Sequence, residues 1–397
     1  MKTFLVYLMI ASTLSFANGS EDELRKLADR LSKEIIIIDS HIDLPGRLQY
    51  NWEDITKKTG GDFDYPRAKA GGLDVPFMSI FVSPRYENNG AKEEADSIIY
   101  IVEKIINSYP DKFAYAKSTD DIHKNFKSGK MSLPMGMENG APIEGDLKNL
   151  TYFYDRGIRY ITLAHSKSNH ICDSSYDPER KWKGLSPFGK ELIKEMNRIG
   201  MMIDVSHITD DAFYQVIEIT KAPVVATHSS CRSFTPGWER NMSDDMIKAL
   251  AKNGGVIQIA FVSNFISQEI RDREAKNRAA VAAYLKDNNI PSNDPRASEF
   301  SRQYWKNNPI GYADVKDVVK HIDHVVKLVG IDHVGLGSDF DGAGDSFPYG
   351  LKDVSQFPNL IYELLKAGYS EEDIKKICSG NFMRAWSRIE QISREWK

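Results

Sequence analysis

The sequence predicts an α/β fold, a (β/α)8 or TIM barrel with a helical excursion between its seventh and eighth strands. Three observations lead there. Short apolar runs rich in β-branched residues recur along the chain, helical patterns with start and stop signals separate them, and ligand-type side chains follow directly after several of the runs. Eight runs can be counted, at 35–39, 75–82, 133–137, 159–164, 201–205, 223–227, 255–260 and 333–338. Parallel strands covered on both faces read as continuous apolar stretches rather than alternating ones, and IIIID, MMIDV and PVVAT have that form.

The intervening helices carry boundary signals. Ser186 before Pro187 is an N-cap followed by a first helical residue, and Gly200 closes that helix before the fifth strand. Thr209 precedes Asp210 and Asp211, and Ser243 precedes Asp244 and Asp245, each a capping hydroxyl with an acidic first turn. The helix after Ser243 ends at Asn253, Gly254 and Gly255. A typical barrel needs about 250 residues, and this chain has 397. Part of the surplus lies at 262–312, where QEIRDREAKNRAAVAAYLKDNN reads as a charged amphipathic helix lying over the active face, with a solvated decoration as the alternative. No repeat, low-complexity tract or linker divides the chain, so residues 20–397 are expected to form one catalytic domain.

Residues 1–19 read as a signal peptide: Lys2, an apolar run from Phe4 to about Ala11, then small residues with Ser15 and Ala17 as a cleavage pair. A spanning helix needs about 20 continuous apolar residues, and Ser12, Thr13 and Ser15 interrupt too early. No cysteine marks a lipid anchor and the ending QISREWK is charged, so the protein is expected to be exported, periplasmic or extracellular, without a stable membrane anchor. With 41% hydrophobic residues the chain can bury a large core, and a net charge of −4 with mixed signs gives no nucleic-acid footprint. A small-molecule partner is the default. Three cysteines, Cys172, Cys231 and Cys378, without CxxC spacing argue against a cysteine-based zinc site and allow one disulfide at most.

Potential ligands cluster where this fold places its chemistry, at the C-terminal strand ends. His41 and Asp43 in DSHID follow the first strand, Glu138 in GMENG the third, His207 in DVSH the fifth, His228 in ATHSS the sixth, and Asp339 in GSDFDG the eighth. Four of nine histidines, His41, His165, His207 and His228, fall directly after four different runs, whereas His123, His321, His324 and His333 suit structural roles and His170 is ambiguous. Imidazoles with carboxylates suit a borderline metal such as zinc, and ligand type alone leaves manganese open. Three histidines and two carboxylates suffice for two metals if one carboxylate bridges, and Glu138 is the natural bridge because its strand lies between the others.

The ordered set DSHID, GMEN, RYITLAH, DVSH, THSS, ERNMSDD, GIDHVGLGSDFDG and GNFMRAW resembles the membrane (renal-type) dipeptidases, zinc peptidase family M19, across nearly the whole chain after the leader. The resemblance implies two Zn2+ per chain, one held by His41 and Asp43, the other by His207 and His228, with Glu138 bridging. It implies that His165 hydrogen-bonds the tetrahedral intermediate, that Arg240 grips the C-terminal carboxylate of a dipeptide substrate, and that Asp339 transfers protons. Asn169 is placed with Arg240 and His165 among substrate-binding residues. A C-terminal D-residue would be accepted, and a homodimer is suggested. The chain departs from the family in lacking a tryptophan between Asn169 and Asp173, and in carrying Pro76 where glutamine is common, which touches the pocket wall rather than the metals. Two other readings compete: another binuclear amidohydrolase, disfavoured because HxD and a glutamate stand where HxH and a carbamylated lysine are usual, and a non-catalytic metal- or peptide-binding protein.

Overall fold

A computed structural model of the chain describes residues 20–396, so the leader read at 1–19 lies outside the described residues. All eight strands form: β1 Ile37–Ile42, β2 Leu73–Phe81, β3 Met135–Glu138, β4 Ile158–Thr162, β5 Met202–Asp204, β6 Val225–Ser229, β7 Val256–Ile259 and β8 Val334–Leu336. They pair in parallel and in chain order. The seam between the last and first strands is thin. Ile42 bridges Phe340, the amide of Asp339 donates to His41 O at 3.1 Å and that of Asp43 to Phe340 O at 2.8 Å. Beneath them the fully buried Asp39 carboxylate accepts from the amides of Ser338 (2.8 Å) and His41 (3.2 Å). Burial pushes that carboxyl up to about 7. The result is a nearly closed barrel.

The anticipated caps hold. The hydroxyls of Ser186, Thr209 and Ser243 accept from Gly189, Ala212 and Met246 amides, and Gly200 takes a left-handed conformation at φ 85°. The C-terminal helix Asn381–Glu395 closes the bottom of the barrel. Its Phe382 and Trp386 pack with Ile38, Val75, Tyr160 and Val225 from the strands, and Phe77 lies 5.3 Å and 5.5 Å, ring to ring, from Phe382 and Trp386. The GNFMRAW motif is thus a plug opposite the chemistry. Tyr160 fits the interior because β3 offers Gly136 beside it: a Cβ there would sit 1.9 Å from the phenol ring.

Two expectations need correction. His41, Glu138 and His228 lie within β1, β3 and β6 rather than after them, which holds them more rigidly than a loop would. The excursion does form helices, Ser263–Ile266, Gln268–Asp287 and Pro295–Asn307, but the long one is not amphipathic. It buries only Ile270 and Asn277 and is laced by same-face pairs such as Arg278 with Glu274 at 2.5 Å. All three cysteines are buried free thiols, within the expected bound of one disulfide at most.

His321 shows how a structural histidine is used. On the helix Val315–Val329, its Nδ1 accepts from the Cys231 amide at 3.0 Å, so Nε2–H donates to Ile266 O at 3.2 Å. Burial lowers its pKa to about 4. Between pH 6.5 and 4 the unfolded chain binds a proton that the native chain refuses, so stability falls with falling pH by about 3 kcal/mol from this group and is fully present above 6.5. Urea midpoints compared at pH 7.5 and 4.5 are expected to drop less for His321→Gln than for the wild type.

Candidate active site

The C-terminal strand ends converge on Glu138. Its Oε1 lies 3.2 Å from His207 Nε2, 3.3 Å from His228 Nε2 and 3.5 Å from His165 Nε2, while Oε2 lies 3.5 Å from His41 Nε2. His41 Nε2 is also 3.5 Å from Asp43 Oδ2. The Nε2 atoms of His207 and His228 face each other at 2.8 Å. Three overlapping groups of potential metal ligands result: His41, Glu138 and His228; Glu138, His165 and His207; and His41, Asp43 and Asp339.

Backbone and glycine geometry support this crowding. His207 (φ 68°), Asp339 (φ 71°) and Asn139, next to Glu138 (φ 75°), all occupy the left-handed region, a strained conformation that recurs at functional sites. A Cβ on Gly342 would fall 2.1 Å from Asp43 Oδ2 and 2.8 Å from Asp339 Oδ1, so a glycine is required for the two carboxylates to lie together.

Burial drives the pKa values of His207 and His228 well below the ordinary value, with Arg240 assisting at both. His41 goes the other way: burial opposes its protonation, but Tyr160, Glu138 and Asp43 outweigh it. Burial likewise opposes ionisation of Glu138, yet His41 and His165 hold it well below the usual carboxylate range. Asp339 is pushed well above that range by burial and by Asp43. Two neutral imidazoles pointing nitrogen to nitrogen at one anionic oxygen are a donor set for a cation, and buried His41 Nε2 has no hydrogen-bond partner of its own. The residues therefore fit a metal centre.

The remaining anticipated residues divide. His165 stands at the cavity mouth with its side chain partly exposed. Arg240 is buried, donating to Ser229 Oγ at 2.9 Å and His228 O at 2.7 Å and reaching His207 Nε2 at 3.2 Å. It is no surface salt bridge: Asp244 pairs with His324 and Asp245 with Lys248. Asn169 does not reach the cavity. Its Nδ2 donates to Asn139 Oδ1 and Leu163 O, and its Oδ1 accepts from the Ile171 and Cys172 amides, so its polar atoms are consumed in shaping the loop. Asp341, the rival of Asp339, is turned away to Arg47 at 3.1 Å and the Asp62 amide at 2.6 Å. His170 pairs with Glu87 at 2.8 Å.

A cavity of about 760 Å³ opens over the cluster. Beside the ligands it is lined by Phe81, Tyr176 and Phe265, and by Glu274 and Arg278 of the excursion, which therefore walls the active face. Sequence reasoning missed Tyr160, whose hydroxyl lies 2.8 Å from His41 Nδ1; mid-strand in RYITLAH it reads as core. Tyr176 was also missed, and no motif marks it.

Residues 25–397 match the family model described as membrane dipeptidase (peptidase family M19). Dipeptidase tcpJ of Claviceps purpurea is 31% identical over 350 residues, 86% of this chain and 72% of that one. Dipeptidase aclJ of Aspergillus oryzae is 32% identical over 342 residues, 84% and 71% of the two chains. The crystal structure of the probable dipeptidase PvdM from Pseudomonas aeruginosa superposes with a TM-score of 0.82 at 28% identity, over 94% of this chain and 99% of its own. That of a metallopeptidase from Rhodobacter sphaeroides, liganded with a phosphinate mimic of the dipeptide L-Ala-D-Ala, gives 0.73 at 25% identity, over 89% and 99%.

Proposed function

The chain belongs to the membrane dipeptidase family, peptidase family M19, and is a metallo-dipeptidase; from that premise we propose an exported enzyme that uses two Zn2+ per chain to hydrolyse free dipeptides. The carrying observation is Glu138, whose two oxygens face different histidine sets. His41 and Asp43 would hold one ion, His207 and His228 the other, with Glu138 between. Bound zinc supplies Lewis acidity toward the scissile carbonyl and a nucleophile at neutral pH.

The chain's own groups do the rest. His165, at the mouth beside Glu138 Oε1, offers a preplaced donor to the oxyanion that develops on the substrate. Asp339, grouped with His41 and Asp43 beside the cluster, takes the proton of the attacking water and returns it to the leaving amine. Arg240 is a buried cation for which no carboxylate among the described residues forms a salt bridge, an arrangement that favours an incoming anion such as a substrate's free C-terminal carboxylate. That would restrict cleavage to very short peptides. The dipeptide mimic held by the Rhodobacter sphaeroides enzyme supports acceptance of a C-terminal D-residue. No helix among the described residues is long and apolar enough to cross a membrane; the export reading rests on the leader pattern at 1–19, with residues 20–397 as one domain.

Metal analysis with Gly-Leu hydrolysis on the same purified sample tests the reading. About two zinc per chain and activity lost to a chelator and restored by zinc are expected; protein that stays inactive after zinc addition would sink it. Arg240→Ala is expected to raise KM for free dipeptides roughly 10- to 100-fold with metal content intact, and equal losses on C-terminally amidated substrates would remove the carboxylate role.

A further inference from the structure

The ring nitrogen of His228 that faces away from Glu138 is held by a hydrogen-bond chain whose direction can be worked out. Asp204, at the end of β5, is fully buried. Its Oδ1 accepts from two backbone amides, Thr227 at 2.9 Å and Ser206 at 3.0 Å, which can only donate. Its Oδ2 accepts from the hydroxyls of Thr162 and Thr227, the latter at 2.7 Å. Thr227 has one hydroxyl proton, and giving it to Asp204 leaves Oγ1 only as an acceptor toward His228 Nδ1, 2.9 Å away. The ring proton must then sit on Nδ1, and Nε2 presents its lone pair to the cluster. His207 has no such support, because its Nδ1 is buried without a partner.

We propose that Asp204 and Thr227 are positioning residues that lock His228 in the Nδ1–H tautomer and so preset the second metal position. The proposal rests on the reading of His228 as a zinc ligand. Asp204 also brings a buried negative charge, one step removed, toward the side where two histidines face a single carboxylate oxygen. Outer partners of this kind commonly change metal affinity 10- to 100-fold.

The lock makes an isosteric substitution informative. In Asp204→Asn the amide oxygen must still face the Thr227 and Ser206 N–H groups, so the amide nitrogen faces the two hydroxyls and donates to them. Thr227 then gives its proton to His228 Nδ1, and the ring proton moves to Nε2, where it blocks ligation. Thr227→Val removes the link altogether, whereas Thr227→Ser keeps it.

The experiment is zinc binding to full-length protein, by competition with a chromophoric chelator, for wild type, D204N, T227V, T227S and H228A, with melting of each metal-free protein alongside. D204N and T227V are expected to weaken the second zinc by roughly 10- to 100-fold while T227S binds as the wild type does. 15N spectra of the metal-free protein are expected to show His228 protonated on Nδ1 in the wild type and on Nε2 in D204N. Unchanged zinc affinity in D204N and T227V, with H228A still losing one ion, overturns the lock and leaves the ligand assignment standing. Full zinc binding by H228A overturns the assignment and the lock with it. Should D204N fail to fold, T227V against T227S decides by the same affinities.

Discussion

Glu138→Gln is expected to abolish dipeptide hydrolysis, lowering kcat/KM by at least about 10³-fold, or some 4 kcal/mol of transition-state stabilisation. It should also bring the purified protein below one zinc per chain. The side chain keeps its shape, so the effect isolates charge. Oε2 faces His41 and Oε1 faces His207 and His228, and an amide leaves both sets without their shared anion. Elemental analysis beside the assay separates this from a purely catalytic loss. A variant that retains two zinc ions but not activity would make Glu138 a reacting group rather than a bridge.

Asp339→Asn should act differently, cutting kcat by about 10²–10⁴-fold with metal content unchanged. The left-handed backbone at this residue and the hydrogen bond from its amide to His41 O keep the side chain in place in either form. Asp339 also lies close enough to His41 and Asp43 to be grouped with them as a ligand. Loss of one zinc on substitution would therefore reassign it to the metal and remove the proton-transfer role.

The strands were legible because they are covered on both faces, and several, such as IIIID, MMIDV and PVVAT, read as nearly continuous apolar runs. The caps were legible because Ser186, Thr209 and Ser243 act through local hydrogen bonds. The convergence of His41, Glu138, His207 and His228 followed from strand ends pointing one way in a parallel barrel. What failed was direction. Asn169 has the chemistry of a substrate contact, but the turn around it aims both polar atoms inward. Tyr160 looks like core and is core, yet its hydroxyl extends from the core to His41. The helix Gln268–Asp287 carries apolar residues without gathering them on one face, since Ala279, Ala280, Ala282 and Ala283 need no partner to be helical.

The thin seam of the barrel sets a timetable. Ser338 meets Asp39 across 299 residues of chain, so β1, with His41 and Asp43, has no place to close until β8 has been made. A nascent chain emerging N-terminus first would carry its earliest ligands for most of synthesis without the carboxylate and backbone that complete their surroundings. In the proposed site, the position held by His41 and Asp43 would thus be complete only in the finished polypeptide. For a chain that crosses a membrane unfolded, the ions would come from the compartment of arrival rather than the compartment of synthesis.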